Sequence, residues 1–285
     1  MKIILSRKGF DSSAGGVPSP ILPDGTMLSL PIPDKTSGIR YEDITPHGRL
    51  VSDLTKGRVK PHYGAHLDPD LVAGSIRRQP GWRPIFGQAD AEQRVLEHKG
   101  IGPGDLFLYF GWYRQVERRD DRFQFVRGAP DLHVLWGWLQ VGAVLRVGVD
   151  ALPTWAEYHP HVAQPDGRRF NTIYQSAKAF TVGGACPGVP GAGVFGHYDD
   201  RLRLTAPGRS RSVWSLPDWF RPSGDRVALG YHGALRRWSR DGDRVLLQTV
   251  GRGQEFVLDV AQYPEAIGWA TGLVTTSGQS ATGPR

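Results

Sequence analysis

The chain has 285 residues, 39% hydrophobic and 22% charged, with a formal net charge of +7. That balance excludes a disordered chain and allows a sizeable core without staples. A lone cysteine, Cys186, rules out an internal disulfide and fits a reducing, cytoplasmic setting.

Residues 1–5 read as a first strand, too short for the apolar core of a signal peptide. The loop that follows carries Arg7, Lys8, Asp11, Ser12, Ser13, Gly15 and Gly16. Met27–Ile32 alternates weakly and ends at Pro33, which predicts a short edge strand. Residues 34–88 are broken by Pro46, Pro61, Pro69, Pro80 and Pro84 and read as loop-rich. The clearest helix is Ala91–Lys99, with Asp90 as cap, Gln93 at the capping-box position and Gly100 as stop.

Strands rich in aromatic and β-branched residues follow at Leu106–Tyr113, Phe123–Val126 and His133–Val147. The most apolar run, Val134–Val149, is broken by Gln140 and Arg146, so no membrane partner is expected. Residues 150–200 read as Gly/Pro-rich loop; further strands are expected at 226–231, 244–250 and 255–260. Pro264 opens a helix to about Leu273, and residues 276–285 read as a disordered tail. With no internal repeat and no linker, the expectation is one β-rich α+β domain over residues 1–275. Its sheet is mixed or barrel-like, with long Gly/Pro-rich loops.

Several segments carry residues suited to chemistry. In the opening loop, Arg7 and Lys8 can meet phosphate or carboxylate, Ser12 and Ser13 are short donors, and Gly15 and Gly16 can expose N–H groups to an anion. Neither a Walker order nor a G-x-G-x-x-G order is present. Lys8, Asp11 and Glu255 are the catalytic candidates. Arg252 and Gln254 adjoin Glu255 as substrate-binding candidates, although an ordinary ion pair at a strand start explains them equally well. Trp112, Tyr113, Trp136 and Trp138 could form a stacking platform, with Arg114 nearby and Gln140 on a base edge. Aromatic strands more often fill a core. Gly111 and Gly137 permit bulges or a close backbone approach.

Two further segments carry metal-type residues. His66, Asp68 and Asp70 at i, i+2, i+4 suit a hard divalent ion on an extended chain, but the Asp-Pro step favours a turn. His159 and His161 stand too far from other ligands in sequence to make a zinc motif and read as packing or surface residues. No metal ligand set and no cofactor is assigned. Residues 201–240 hold nine arginines against two aspartates, a phosphate-contacting face or simply a solvated one.

Taken together, "LSRKGFDSSAGGVPSPI", "SLPIP", "HLDPDL", "GDLFLYFGWYR", "GWLQVG", "LPDWF" and "RGQEFVLD" resemble the nucleotide-modification-associated domain family, third type, over residues 1 to about 260. The resemblance implies association with systems that modify nucleotides in DNA of bacteria and phages, and partners among other DNA-modification proteins. It carries over no catalytic residue. The segments at 102–114 and 133–142 also look like base-recognising barrels of the PUA/ASCH kind.

The leading expectation is a factor that binds a nucleotide or a nucleic-acid base, DNA favoured, and acts on it; whether it is an enzyme stays open. The alternative is a non-catalytic reader of modified bases. Behind these stand a metal-dependent hydrolase using His66, Asp68 and Asp70, and an ADP-ribosyltransferase-like enzyme built on Tyr231-His232-Gly233 and Gln254-Glu255. The chain order of the latter does not fit the usual transferase arrangement.

Overall fold

The computed structural model describes residues 1–278 except 166, 224, 225, 227, 228 and 252; of residues 277 and 278 it describes the backbone alone. The strands are β1 Lys2–Arg7, β2 Ser19–Ile21, β3 Ile85–Gln88, β4 Leu106–Arg119, β5 Arg122–Phe125, β6 Leu132–Arg146, β7 Thr172–Ser176, β8 Ala192–Val194, β9 Val213–Pro217, β10 Trp238–Asp241, β11 Arg244–Gln248 and β12 Glu255–Asp259. The helices are α1 His47–Leu54, α2 Asp90–His98, α3 Pro160–Ala163 and α4 Glu265–Gly278.

The fold is α+β and β-rich. Nine strands form one mixed sheet with the path β12-β1-β4-β6-β7-β3, on which β2 and β5 add to β4 and β8 adds to β6. β1 and β2 run parallel to β4; the other pairs are antiparallel. A separate antiparallel sheet holds β10-β11-β9. The large sheet is not closed, so the barrel-like alternative does not hold. Its path ends at β12 and β3, which share no ladder, although Gln88 of β3 reaches Glu255 of β12 with a side chain.

The long central strands explain the core. The first halves of β4 and β6 are buried on both faces and are built of aromatic and aliphatic residues, while their far ends alternate and emerge into solvent. β4 turns into β5 through Asp120 and Asp121, both at positive φ, the backbone that a two-residue hairpin requires. Between β4 and β6 the register shifts: Tyr109 opposes Gly137 but Phe110 opposes Leu135, which leaves Trp136 as the extra, bulged residue. One core cluster fills both sides of this sheet and extends under α4 through Ala266, Ala270, Leu273 and Val274. A second gathers around α1, with Phe10, Tyr41, Leu50 and Val51.

Several local expectations change. Met27–Ile32 forms no strand; Met27 makes an isolated bridge to Ile21, and its own N–H goes to the Gly196 carbonyl. The loop-rich segment 34–88 holds two elements not foreseen, α1 and β3. Ala89, not Asp90, caps α2. The Asp90 carboxylate accepts from the Arg169 N–H, and Gln93 turns its amide oxygen to the Tyr174 hydroxyl. Gly100 does follow the helix, at φ +63, with Ile101 N–H closing on the Leu96 carbonyl. Residues 150–200 contain α3, β7 and β8. Of 226–231, Leu229–Tyr231 form a bend and turn, and 227 and 228 lie outside the described residues. α4 continues past Leu273 to Gly278, into the expected tail; residues 279–285 lie outside the described residues.

Candidate functional site

β1 and the loop after it supply two different places, because adjacent residues on an extended chain point to opposite faces. Lys8 faces one side. Its Nζ donates to Glu255 Oε1 at 2.9 Å and to Gln254 Oε1 at 3.3 Å, and lies 4.6 Å from the centre of the Phe86 ring. Gln88 Nε2 also donates to Glu255 Oε1, at 2.7 Å. The Lys8 side chain is 9% exposed and the Glu255 side chain 0%, so this ion pair is closed off from screening water.

The sheet register extends this centre. Glu255 pairs with Ser6, Ser6 with Tyr109, and Tyr109 with Gly137, so these residues form one row across four strands. Glu255 Oε2, the Ser6 hydroxyl and the Tyr109 hydroxyl are all buried without a hydrogen-bond partner. Burial first, then the charges of Asp68 and Glu255, push the Tyr109 phenol well above its ordinary range. Tyr109 therefore stands within the field of two carboxylates.

Asp68 belongs to the second part of the same region. Its Oδ1 accepts from the Gly87 N–H at 2.8 Å and faces His159 Nε2 at 3.2 Å. Its Oδ2 lies 3.7 Å from His161 Nε2 and 4.0 Å from His66 Nε2. Gly87 lacks a side chain for a visible reason: a Cβ there would sit 2.4 Å from His161 Cγ. Burial works to raise the Asp68 carboxyl, but His159, His161 and His66 outweigh it and hold it well below the ordinary carboxylate range. Asp70 is not part of this group; Arg78 binds it with both terminal nitrogens at 2.6 Å.

Asp68 also lines a cavity of about 230 Å³ together with Leu67, His47, Tyr113, Trp136 and Val194. The Trp136 indole N–H is buried without a partner, while the Tyr113 hydroxyl reaches the Ser29 side chain and His47 the backbone of Ser29 and Thr45. Trp136 is the bulged residue of β6 and packs 5.6 Å from the Tyr109 ring.

On the opposite face, Arg7, Asp11, Ser12, Ser13, Trp112, His133 and Arg211 line a cavity of about 260 Å³. Here the polar groups are engaged. Arg7 donates to the carbonyls of Gly251 and Gly253. Asp11 Oδ1 accepts from Ser13 N, Ser13 Oγ and Ala14 N, each at 2.7 Å. Burial works to raise the Asp11 carboxyl, but the hydrogen bonds of Ser13 and Ala14 leave it below its ordinary value, an anion rather than a base poised near neutrality. Gly15 sits at φ +86 against the Phe10 ring, and the Gly16 N–H closes the turn on the Asp11 carbonyl. Arg211 lies 4.0 Å over the Trp112 ring, whose N–H goes to Asp131, as does Arg114.

The structure thus unites Lys8, Gln254 and Glu255, and separately Arg7, Asp11, Ser12, Ser13 and Trp112. Trp138 and Gln140 join neither group: Trp138 donates to the Pro190 carbonyl and packs on Phe195, and the Gln140 amide holds Thr181 through both its atoms. Arg252 lies outside the described residues. His232 is tied to the Gly230 carbonyl and the Val250 N–H and packs on Phe256. Sequence reasoning missed the joining of "HLDPD" to "HPH", and the roles of Gln88, Ser6 and Tyr109. The i, i+2 histidine spacing in "HPH" was the one signal available.

A family model for nucleotide modification associated domain 3 matches residues 2–259. The chain belongs to that family. No curated protein and no solved structure matches it. Membership ties the chain to nucleotide modification and so to nucleotide or nucleic-acid interaction. Among the described residues, no helix is long and apolar enough to cross a membrane.

Proposed function

We propose that the protein binds a nucleotide or a nucleic-acid base, DNA before RNA, and modifies that base enzymatically, as one cytoplasmic domain formed by residues 1–275. One observation carries this reading. Among the described residues, the Glu255 Oε2, Ser6, Tyr109 and Trp136 polar atoms are buried without a partner. Each such atom costs about 1–3 kcal/mol. Concentrating four of them along one row and the Trp136 bulge packed beside it is explained by a ligand with donors and acceptors along its edge.

The cavity falls below the range of roughly 300–1,000 Å³ typical of drug-sized ligands, a size suited to a single base. In this reading Trp136 and Tyr113 meet the base edge. Glu255 Oε2 is the acceptor for a proton, and Lys8 holds the same carboxylate in place through Oε1. Arg7 and Arg211 share the opposite cavity and each other's charge, which suits them to phosphate.

The test is mass spectrometry of nucleosides from DNA and RNA of cells expressing the parent chain or a Lys8→Met/Glu255→Gln variant. A nucleoside that appears or disappears with the parent alone is the expected result. An unchanged profile, with nucleosides still binding the purified protein, would replace this reading with that of a reader of modified bases.

A further inference from the structure

We propose that His66, Asp68 and His161 bind one divalent transition-metal ion through His66 Nε2, Asp68 Oδ2 and His161 Nε2. The candidate ligand atoms of these three residues all lie within 4.8 Å of one another. Metal bonds of about 2.0–2.2 Å would bring the donors to roughly 3–3.5 Å apart, so a small inward rotation of the rings completes the site.

The hydrogen bonds around the cluster leave the right lone pairs free. His66 Nδ1 faces Asp34 Oδ2 at 2.9 Å. A carboxylate can only accept, so Nδ1 carries the proton and Nε2 a lone pair. His161 Nδ1 faces Asn171 Oδ1 at 2.7 Å, and the Asn171 amide is oriented by its own donation to the His161 carbonyl. His161 Nε2 is therefore also a free lone pair. His159 is different: its Nδ1 faces the His161 N–H at 3.4 Å, so its Nε2 carries the proton and donates to Asp68 Oδ1. With the Gly87 N–H this occupies Oδ1, and Oδ2 makes no hydrogen bond among the described residues. A carboxylate or amide behind each ligating imidazole is the arrangement that fixes metal ligands.

A second feature points the same way. The Tyr109 hydroxyl is buried, unpartnered and exposed to the Asp68 charge, a place for a water or substrate atom on the ion. Two imidazoles and one carboxylate favour a first-row transition metal over Mg²⁺ or Ca²⁺, and three protein ligands leave coordination positions open.

This deepens the proposed function, since Asp68 also lines the base cavity, yet it is tested without a nucleotide. The full chain, carrying no polyhistidine tag, is dialysed against Co²⁺ or Zn²⁺; metal content and the visible Co²⁺ spectrum are read. One equivalent is expected in the parent, with binding lost in His66→Gln and His161→Gln. Asp34→Asn, a change of a positioning residue that spares the ligands, should weaken affinity about 10–100-fold. His98→Ala, at an exposed histidine of α2, should bind as the parent does. A folded parent that takes up no metal would overturn the proposal, as would unchanged affinity in His161→Gln or in Asp34→Asn. Metal uptake without nucleoside binding would count against the proposed function alone; nucleoside binding without metal would count against this inference alone.

Discussion

Arg7 and Lys8 are neighbours in the chain and serve opposite faces of the sheet, and the two faces treat polar groups differently. On the Arg7 face, the guanidinium, the Asp11 carboxylate and the Trp112 indole all find partners within the protein. On the Lys8 face, the ion pair with Glu255 is closed, and beside it Glu255 Oε2, Ser6 and Tyr109 have none. The lesson is about where to look for function. The hydrogen bonds of a polar loop that satisfies itself point to no missing ligand, whereas a buried polar row that does not satisfy itself is a cost that folding leaves unexplained.

The sharpest break of this comparison is stability. Glu255→Ala strands the Lys8 charge in the interior and should cost about 3–5 kcal/mol, while Arg7→Ala should stay within about 1 kcal/mol. Denaturant unfolding of the two variants measures both, and equal losses would erase the distinction. Next comes Tyr109→Phe, which removes an unpartnered hydroxyl. Stability should hold or rise by about 1 kcal/mol, while base modification, read by nucleoside mass spectrometry, falls because a ligand contact is lost. A loss of stability instead would mean that the hydroxyl serves the fold.

An effect confined to acid pH marks the Arg7 face. Burial, with the charges of Arg211 and Arg7, pushes His133 down to about 3, against roughly 6.5 in an unfolded chain. Its Nδ1 accepts from the Trp214 indole and so stays neutral. Between those values the unfolded chain binds a proton that the folded chain refuses. Stability should therefore fall as pH drops from about 6.5 toward 3, by at most about 1.4 kcal/mol per pH unit from this residue, and be insensitive to it above. His133→Gln should flatten the dependence in that window, as followed by unfolding at a series of pH values. The smallest expected change is in Arg211→Ala, which should lower nucleic-acid affinity evenly across sequences and reduce the salt slope by about 1. An unchanged salt slope would leave that cavity without a phosphate role.

Much of the frame was legible in the sequence. The aromatic and β-branched runs mark β4 and β6 because stretches buried on both faces must be apolar throughout, whereas β5 shows only through the alternation of Phe123 and Phe125 with exposed polar residues. α2 shows through its glycine stop, although its cap does not, since Asp90 is drawn away by Arg169. β3 was hidden: four residues just after Pro84 carry no periodicity long enough to read, and their strand exists only because β7 pairs with them. Lys8 and Glu255 were visible as reactive types, but not as partners.

The sequence by itself determined the class of the fold, the family, and the residue types available for chemistry, because these follow from composition, local pattern and motif. Only the tertiary structure decided which of those residues meet. It sent Arg7 and Lys8 to opposite faces, set Glu255 beside Ser6 and Tyr109, and brought His161 to Asp68. Those contacts depend on strand register, the Trp136 bulge and the bare backbone at Gly87, and such long-range pairings leave no local trace in a chain.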